Sequence, residues 1–175
     1  MSILITGAAG FIGSHLVDLL LAESGDDALV CRDDFNDYYD PALKRQNASA
    51  LQKSDRVRLV EGDVCDQRLL RNLLAEHAVD RVVHLAAYAG VRYSVAHPAK
   101  YARTNGGGTL SLLEAVRGLP LRRVVVVSSS TVYGRDAAVP FVEDAPLGVP
   151  MSPYGATKRA CELLTLTYRD LHDVP

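Results

Sequence analysis

The chain has 175 residues, of which 48% are hydrophobic and 23% are charged, and its formal net charge is −2. A chain of this length and apolar content can bury a sizeable core in one globular domain, which excludes a disordered or collagen-like protein. The nearly balanced charge gives no indication of a nucleic-acid or anionic-membrane partner. No apolar run approaches the roughly 20 residues that a membrane-spanning helix needs.

The cysteines and histidines carry little functional signal. Cys31, Cys65 and Cys161 stand at scattered positions, which fits reduced thiols better than a disulfide framework or a zinc site. The histidines show no metal-ligand spacing, so we expect no metal. A strand-like run begins at Ser2 and leaves no room for a signal peptide. We therefore expect a cytoplasmic protein.

Apolar runs and helical periodicity alternate along the chain. The pattern predicts strands at 2–6, 28–31, 56–60, 81–85 and 123–127, and helices at 13–23, 66–77, 98–116 and 154–171. The helix over 98–116 is predicted despite three consecutive glycines at 106–108, each of which costs up to ~1 kcal/mol. Short buried strands separated by helices predict an α/β fold with a doubly wound parallel sheet of the Rossmann type.

Two parts of the chain depart from this alternation. Residues 33–54 are polar but contain Phe35, Tyr38 and Tyr39, so we interpret them as a structured insertion. The chain ends just after the last predicted helix, where a doubly wound sheet usually continues into another strand. The ending therefore comes early for this fold.

A glycine-rich loop joins the first predicted strand to the first predicted helix. Gly7 permits a tight exit from the strand, Gly10 lets the backbone approach a pyrophosphate, and Gly13 lets the helix pack closely on the sheet. The helix N-terminus then offers unpaired N–H groups to phosphates. An ordinary turn would also use glycines, but the position between strand and helix favours dinucleotide binding.

An acidic pair follows the second predicted strand. A carboxylate at this point accepts hydrogen bonds from a ribose hydroxyl, and Asp33 and Asp34 stand there. Because a carboxylate repels a 2′-phosphate, the pair favours NAD over NADP. Arg32 opposes this preference, since an arginine could pair with that phosphate, and a solvated turn is the alternative interpretation of the two acids.

The last predicted helix carries a tyrosine and a lysine one turn apart. Ser152 is a suitable N-cap and Pro153 suits the first helical position. Tyr154 and Lys158 share a helix face, and an ammonium near a phenol favours the phenolate and lowers its pKa. Tyr154 could then act as a base near neutral pH. On its own such a pair is more often a surface contact.

A hydroxyl cluster at 128–131 follows the fifth predicted strand. Ligands of a doubly wound sheet bind beyond the carboxyl ends of its strands. Serine and threonine there could hold a sugar hydroxyl or transfer its proton, although they also serve in turns and caps. The glycine loop and the tyrosine–lysine pair in the same chain favour the functional interpretation.

These motifs together resemble the extended short-chain dehydrogenase/reductases, in their NAD-dependent epimerase/dehydratase family. The resemblance covers essentially the whole chain. It rests on four motifs, at 7–13, 63–64, 84–87 and 154–158, and two further stretches, 33–44 and 89–94, resemble UDP-glucuronate 4-epimerases. The resemblance implies bound NAD and a UDP-sugar substrate.

The resemblance also implies residue roles. Tyr154 would be the base, Lys158 would bind the nicotinamide ribose, and Ser129 would be the catalytic serine. Thr131 would face the sugar. Asp63 and Val64 would hold the adenine, and Asn105 would support the neighbouring helix. The other cofactor contacts would be Gly7, Gly10, Phe11, Ile12, Gly13, Asp33, Asp34, Asn36, Leu85, Ala86 and Ala87.

The serine loop indicates the reaction type within the resembled family. Dehydratases of the family carry an Asp-Glu pair just before Val-Tyr-Gly, and related decarboxylases carry a glutamate there. This chain has Ser130 and Thr131 instead, which favours 4-epimerisation. Arg92 could approach a uronate carboxylate, although a surface or phosphate-pairing arginine is an equal alternative.

Length sets this chain apart from its relatives, which continue into a smaller substrate domain. We expect residues 1–175 to form the NAD-binding Rossmann domain, with the C-terminal substrate domain absent. Such a chain should bind NAD and turn over a sugar nucleotide poorly. The alternatives are a catalytically incomplete NAD-binding module and another epimerase, such as a UDP-glucose 4-epimerase. Relatives often dimerise, so a homodimer is also implied.

Overall fold

Five parallel strands form the centre of the computed structural model, which describes residues 1–23 and 25–175. The strands lie in the order β3-β2-β1-β4-β5. They are β1 (Ser2–Thr6), β2 (Ala28–Asp33), β3 (Val57–Glu61), β4 (Arg81–His84) and β5 (Arg123–Val126). The predicted doubly wound sheet of the Rossmann type is confirmed, since every pair of neighbouring strands is parallel.

The helices cover both faces of this sheet. They are α1 (Phe11–Ala22), α2 (Pro41–Leu51), α3 (Gln67–Glu76), α4 (Val91–Ala96), α5 (Pro98–Tyr101), α6 (Gly108–Val116) and α7 (Pro153–His172). A π-helical segment, Ala102–Gly107, joins α5 to α6, and a short 3₁₀ turn spans Ser130–Tyr133. No helix within the described ranges is long and apolar enough to cross a membrane.

Alternation along the strands divides the core into two layers. Leu4 and Val30 pack with α3 and α6, whereas Ile5 and Cys31 pack with α1 and α2. All five residues of β1 are buried because this strand is central and covered on both faces. Side chains of even number in β1 and β2 thus face one helix layer, and those of odd number face the other.

The long helix predicted at 98–116 forms, but with a π-helical segment in its middle. Its three glycines differ in what they permit. A Cβ on Gly108 would lie 2.5 Å from Cγ1 of Val64, whereas a Cβ on Gly106 would meet nothing within 4 Å. Close packing against Val64 therefore requires a glycine at position 108, whereas position 106 has room for a side chain.

Two helices lie where the sequence pattern predicted none. The polar insertion contains α2, whose N-cap Asp40 accepts a hydrogen bond from the Ala42 N–H at 2.9 Å and whose first turn begins with Pro41. The second is the short α4. Helix α1 begins at Phe11, two residues before the prediction, because the exposed side chains of Phe11 and Ile12 conceal the helical pattern.

The last residues of the chain pack against the sheet. Val174 is buried in the core layer that contains α3 and α6. The backbone N–H of Val124 donates to the carbonyl oxygen of Pro175 at 2.9 Å. The segment after α7 therefore runs beside β5.

Candidate cofactor and active site

A cleft of about 350 Å³ opens at the carboxyl ends of the parallel strands. This is where ligands bind in doubly wound sheets. Most of the residues predicted to bind a cofactor line it, namely Gly7, Gly10, Phe11, Ile12, Gly13, Asp33, Asp34, Asn36, Val64, Leu85, Ala86, Ala87, Tyr154 and Lys158. Residues far apart in the sequence therefore meet in a single cleft.

The glycine loop is shaped by close backbone contacts. Gly7 has a φ of +74°, and a Cβ there would lie 2.8 Å from the amide nitrogen of Ala86. A Cβ on Gly13 would lie 2.2 Å from the carbonyl oxygen of Gly7. Side chains at either position would push the loop away from β4 or from α1. The glycines thus keep the α1 N-terminus open to an anionic ligand.

Asp33 ties the acidic pair to the glycine loop. Its Oδ2 accepts the Ala9 N–H at 3.1 Å, and its Oδ1 accepts the Phe35 N–H at 2.9 Å. Lys44 of α2 lies 3.3 Å from Oδ1 of Asp33 and 3.8 Å from Oδ1 of Asp34. A carboxylate has about four acceptor sites, so Asp33 can still accept from a ligand hydroxyl. The geometry fits a cofactor ribose.

Asp63, by contrast, lies outside the cleft lining and pairs with the π-helical segment. Its Oδ2 forms an ion pair with Arg103, and its Oδ1 accepts the Cys65 N–H at 2.9 Å. Burial by itself raises the pKa of Asp63, but these two contacts outweigh it and hold the pKa below its usual value. The predicted adenine contact through the Asp63 side chain stays a prediction.

Asn105 supports the cleft from behind. The side chain is buried, and its amide accepts the Tyr88 N–H at 2.8 Å and donates to the Tyr88 carbonyl oxygen at 3.1 Å. It also donates to Oγ1 of Thr157 on α7 at 3.2 Å. Asn105 thus joins the segment after β4 to the helix that carries Tyr154.

Helix α7 delivers the tyrosine–lysine pair to the cleft. Ser152 caps the helix by accepting the Gly155 N–H at 3.1 Å, and Pro153 occupies the first turn, as predicted. Lys158 is buried and donates from Nζ to the Val127 carbonyl oxygen at 2.9 Å. Burial lowers the pKa of Lys158. Its ammonium is therefore fixed beside the end of β5, one turn from Tyr154.

Three further predicted residues, besides Asp63 and Asn105, do not line the cleft. Ser129 and Thr131 bond to each other, with 3.0 Å between the two hydroxyl oxygens. Arg92 is exposed on α4. Ser128 lines the cleft instead, and its Oγ donates to Glu162 at 2.6 Å. The roles assigned to Ser129, Thr131 and Arg92 stay predictions.

Several cleft residues were not found by sequence reasoning. Tyr38, Tyr39 and Lys44 come from the insertion, and Thr104 lies in the π-helical segment, while Arg32, considered from the sequence only as a partner of a 2′-phosphate, precedes Asp33 in β2. The aromatic residues of an otherwise polar insertion were the available signal for the first two. Nothing in the local pattern placed Lys44 beside the acidic pair, since that contact depends on the packing of α2.

A buried polar chain lies directly beneath the cleft. Nδ1 of His84 is 2.7 Å from Oγ1 of Thr6, and Nε2 is 3.1 Å from Oγ1 of Thr109. Complete burial, together with the positive charge of Lys158, lowers the pKa of His84 to about 3. His84 is therefore a packed core histidine.

The sheet order, the glycine loop and the tyrosine–lysine pair in one cleft define an extended short-chain dehydrogenase/reductase domain. The sequence profile of the family described as GDP-mannose 4,6 dehydratase matches residues 4–175. The chain belongs to this family of nucleotide-sugar epimerases and dehydratases.

Individual relatives agree with this assignment. UDP-glucuronate 4-epimerase 4 of Arabidopsis thaliana is 43% identical over 173 residues. The structure of a Bacillus cereus UDP-glucuronic acid 4-epimerase, solved with UDP-glucuronic acid and NAD, covers the whole chain at 37% identity and a TM-score of 0.91. A dTDP-glucose 4,6-dehydratase from Streptomyces venezuelae, solved with NAD, covers 99% at 35% identity and a TM-score of 0.89.

The chain is shorter than these relatives. It matches 98% of its own length to the plant epimerase but spans only 39% of that protein. It spans 54% of the Bacillus cereus chain and 53% of the Streptomyces chain. The matched part contains the five-stranded sheet and the cleft.

Proposed function

We propose that this chain binds NAD and carries the catalytic residues of a nucleotide-sugar 4-epimerase. The observation that supports this most directly is one cleft that holds the glycine loop, the acidic pair and Tyr154 with Lys158. The loop and the α1 N-terminus would bind the pyrophosphate, and Asp33 would accept from the ribose. The carboxylates of Asp33 and Asp34 disfavour the 2′-phosphate of NADP.

The catalytic roles of Tyr154 and Lys158 are supported by their place in the cleft, and those of Ser129 and Thr131 by the family resemblance. Bound NAD would accept a hydride from sugar C4 and return it to the other face. Tyr154 would remove the proton of the C4 hydroxyl, and Lys158 would hold the nicotinamide ribose from its fixed place beside Val127. Ser129 would orient the reacting hydroxyl. Thr131 would face the sugar.

UDP-glucuronate is the substrate that we propose. The Arabidopsis and Bacillus cereus relatives are UDP-glucuronate 4-epimerases, and the loop at Ser130 and Thr131 lacks the acidic residues that a dehydratase uses. Arg92 would approach the uronate carboxylate. An epimerase for UDP-glucose and an NAD-binding module without catalysis are the alternatives.

The proposal is tested by incubating the chain with NAD and UDP-glucuronate and following UDP-galacturonate by NMR. We expect slow product formation by the wild type and a further loss of about 10²- to 10⁴-fold in Tyr154→Phe, because general-base catalysis contributes about that factor. Tyr168→Phe is the matched control, since Tyr168 lies on the same helix and its hydroxyl contacts Glu114, away from the cleft.

Each other outcome identifies a different function. NAD binding in calorimetry without any product would indicate the NAD-binding module, and conversion of UDP-glucose alone would indicate the other epimerase. Equal activity in Tyr154→Phe would contradict the assigned base. A wild type that does not bind NAD would contradict the proposal as a whole.

We also propose a cytoplasmic homodimer. The three cysteines are free thiols, which suits a reducing compartment. A dimer would use α6 and α7, where Leu110, Leu163 and Leu166 are exposed apolar side chains. Light scattering after size exclusion tests this, and a monomer at all concentrations would contradict it.

A further inference from the structure

Arg32 is the most unusual buried side chain of this molecule. Only 1% of it is exposed, and it lines the cleft at the end of β2. Its Nη2 donates to the Asp63 carbonyl oxygen. Among residues 1–23 and 25–175, its Nε and Nη1 are buried without any hydrogen-bond partner. Buried donors are almost always paired, so two orphaned nitrogens on one guanidinium require an explanation.

No ion pair explains the burial of Arg32. Within the part of the chain that the structure describes, no carboxylate oxygen lies within 4.0 Å of its nitrogens. The carboxylates of Asp66, Asp63 and Asp34 are near enough to act on it electrostatically but form no ion pair with it. Burial lowers the pKa of Arg32. Burying a cation without a direct partner costs free energy of folding. A purely structural role for Arg32 therefore does not explain why it is buried.

The orientation of Arg32 indicates which part of a ligand it meets. Consecutive strand residues point to opposite faces of a sheet. Asp33 turns toward the glycine loop and α2, where Lys44 contacts it. Arg32 turns to the other face and packs against Gly62. A Cβ added to Gly62 would lie 3.2 Å from Nη2 and 3.3 Å from Nε of Arg32. Arg32 and Asp33 therefore face different groups of a single bound ligand.

The two ends of the cleft lie over different strands of the sheet. Arg32, Gly62 and Val64 lie at the ends of β2 and β3, while Lys158 lies beside the end of β5. These are opposite sides of the strand order. If Lys158 holds the nicotinamide ribose, the adenosine lies at the β2–β3 side. Its ribose then meets Asp33, and its base lies over the face to which Arg32 turns.

We propose that Arg32 recognises the adenine base, with one of its two unpaired donors, Nε or Nη1, donating to an acceptor nitrogen of the ring; this inference rests on the proposed binding of NAD. Three carboxylates around Arg32 offset its charge, so a neutral acceptor suffices to complete its hydrogen bonds. The same carboxylates disfavour a phosphate at this point. Arg32 would thus be a specificity-determining residue for the adenine nucleotide.

The test compares the binding of NAD, NADP and 2′-deoxy-NAD to the wild type and to Arg32→Leu by calorimetry. Leucine removes the donors and keeps an apolar side chain in the core, so the fold should be retained. We expect all three ligands to bind about 10- to 100-fold more weakly to Arg32→Leu, because a charge-assisted hydrogen bond is lost. Arg32→Lys keeps the charge without the planar guanidinium and should recover only part of the affinity.

Arg58→Leu is the matched control. Arg58 lies on the adjacent strand β3 but is exposed, so this variant loses one positive charge without losing a cleft donor. It should bind all three ligands as the wild type does. An equal loss in this variant would mean that a general field effect, not a contact, accounts for the result, and would overturn the inference.

The remaining outcomes separate the possible ligand groups. If Arg32→Leu loses affinity for NADP only, Arg32 contacts the 2′-phosphate. If it loses affinity for NAD but not for 2′-deoxy-NAD, Arg32 contacts the ribose. Unchanged binding in Arg32→Leu would leave Arg32 a structural residue. Each of these overturns the inference while the proposed function stands, whereas a wild type that binds no NAD overturns both.

Discussion

At the scale of single residues, His84 is buried beneath the cleft and makes the stability of the fold depend on pH. Its ring bonds to Thr6 and Thr109 in a fully buried site, where its pKa falls to about 3 from the ordinary 6.5. Below pH 6.5 the unfolded chain binds a proton at this histidine while the folded chain does not. The unfolded state is therefore favoured progressively as the pH falls toward 3.

This linkage predicts how the His84→Gln variant behaves. At pH 7 the variant should be less stable than the wild type because it loses buried hydrogen bonds. As the pH falls from 6.5 to 4.5, the difference in free energy of unfolding between the two proteins should narrow by up to about 1.4 kcal/mol per pH unit. Only the wild type has a histidine at this position that is protonated in the unfolded state and neutral in the folded state. Urea unfolding at a series of pH values measures this difference.

His15→Gln is the control for that series. It removes an exposed imidazole on α1 and keeps His84, so the pH dependence due to His84 should persist. A constant difference between the wild type and His84→Gln across the series would mean that the buried ring is protonated in the folded protein.

At the scale of elements, the junction between β1 and α1 depends on the absence of a side chain at Gly13. A Cβ there would approach the Gly7 carbonyl oxygen to 2.2 Å and the Ala8 Cα to 2.7 Å, both of which are backbone atoms. Backbone cannot move aside as a flexible side chain can. The loop and the helix must therefore separate when any other residue occupies this position.

We expect Gly13→Ala to destabilise the fold by about 1–3 kcal/mol, because overpacking costs that much, and to weaken NAD binding as the loop shifts. Gly106→Ala is the matched control, since a Cβ there meets nothing within 4 Å. It should be neutral or stabilising by up to about 1 kcal/mol, as alanine favours a helix over glycine. Thermal unfolding compares the two, and equal losses would show that the packing at Gly13 is not the cause.

At the scale of the whole molecule, the cleft draws on both halves of the sheet and on α7. A ligand that binds there contacts the folded chain only, so it stabilises the molecule by mass action. At 100 times its dissociation constant, NAD should add about 2.7 kcal/mol, which raises the melting temperature by about 5–10 °C for a chain of this size.

NADP at the same concentration should give a smaller shift, because Asp33 and Asp34 lie where its 2′-phosphate would approach. Differential scanning fluorimetry measures both shifts. An equal or larger shift with NADP would contradict the preference for NAD, and no shift with either would contradict dinucleotide binding.

The order of elements could be predicted because its signals are local. Apolar runs and helical periods indicate where strands and helices lie, and the glycine spacing between Gly7 and Gly13 marks the loop between them. The prediction missed α2 and α4 and began α1 late. The polar surface of α2 and the exposed side chains of Phe11 and Ile12 carry little of the burial pattern on which such predictions depend.

The sequence by itself thus determined the fold class, the glycine loop and the family, all of which follow from short-range patterns. Only the tertiary structure decided that Lys44 pairs with Asp33, that Asp63 turns away to Arg103, and that two donor nitrogens of Arg32 have no hydrogen-bond partner among the described residues. Such contacts join residues on different elements, so they depend on how helices pack over the sheet. No local propensity specifies that packing.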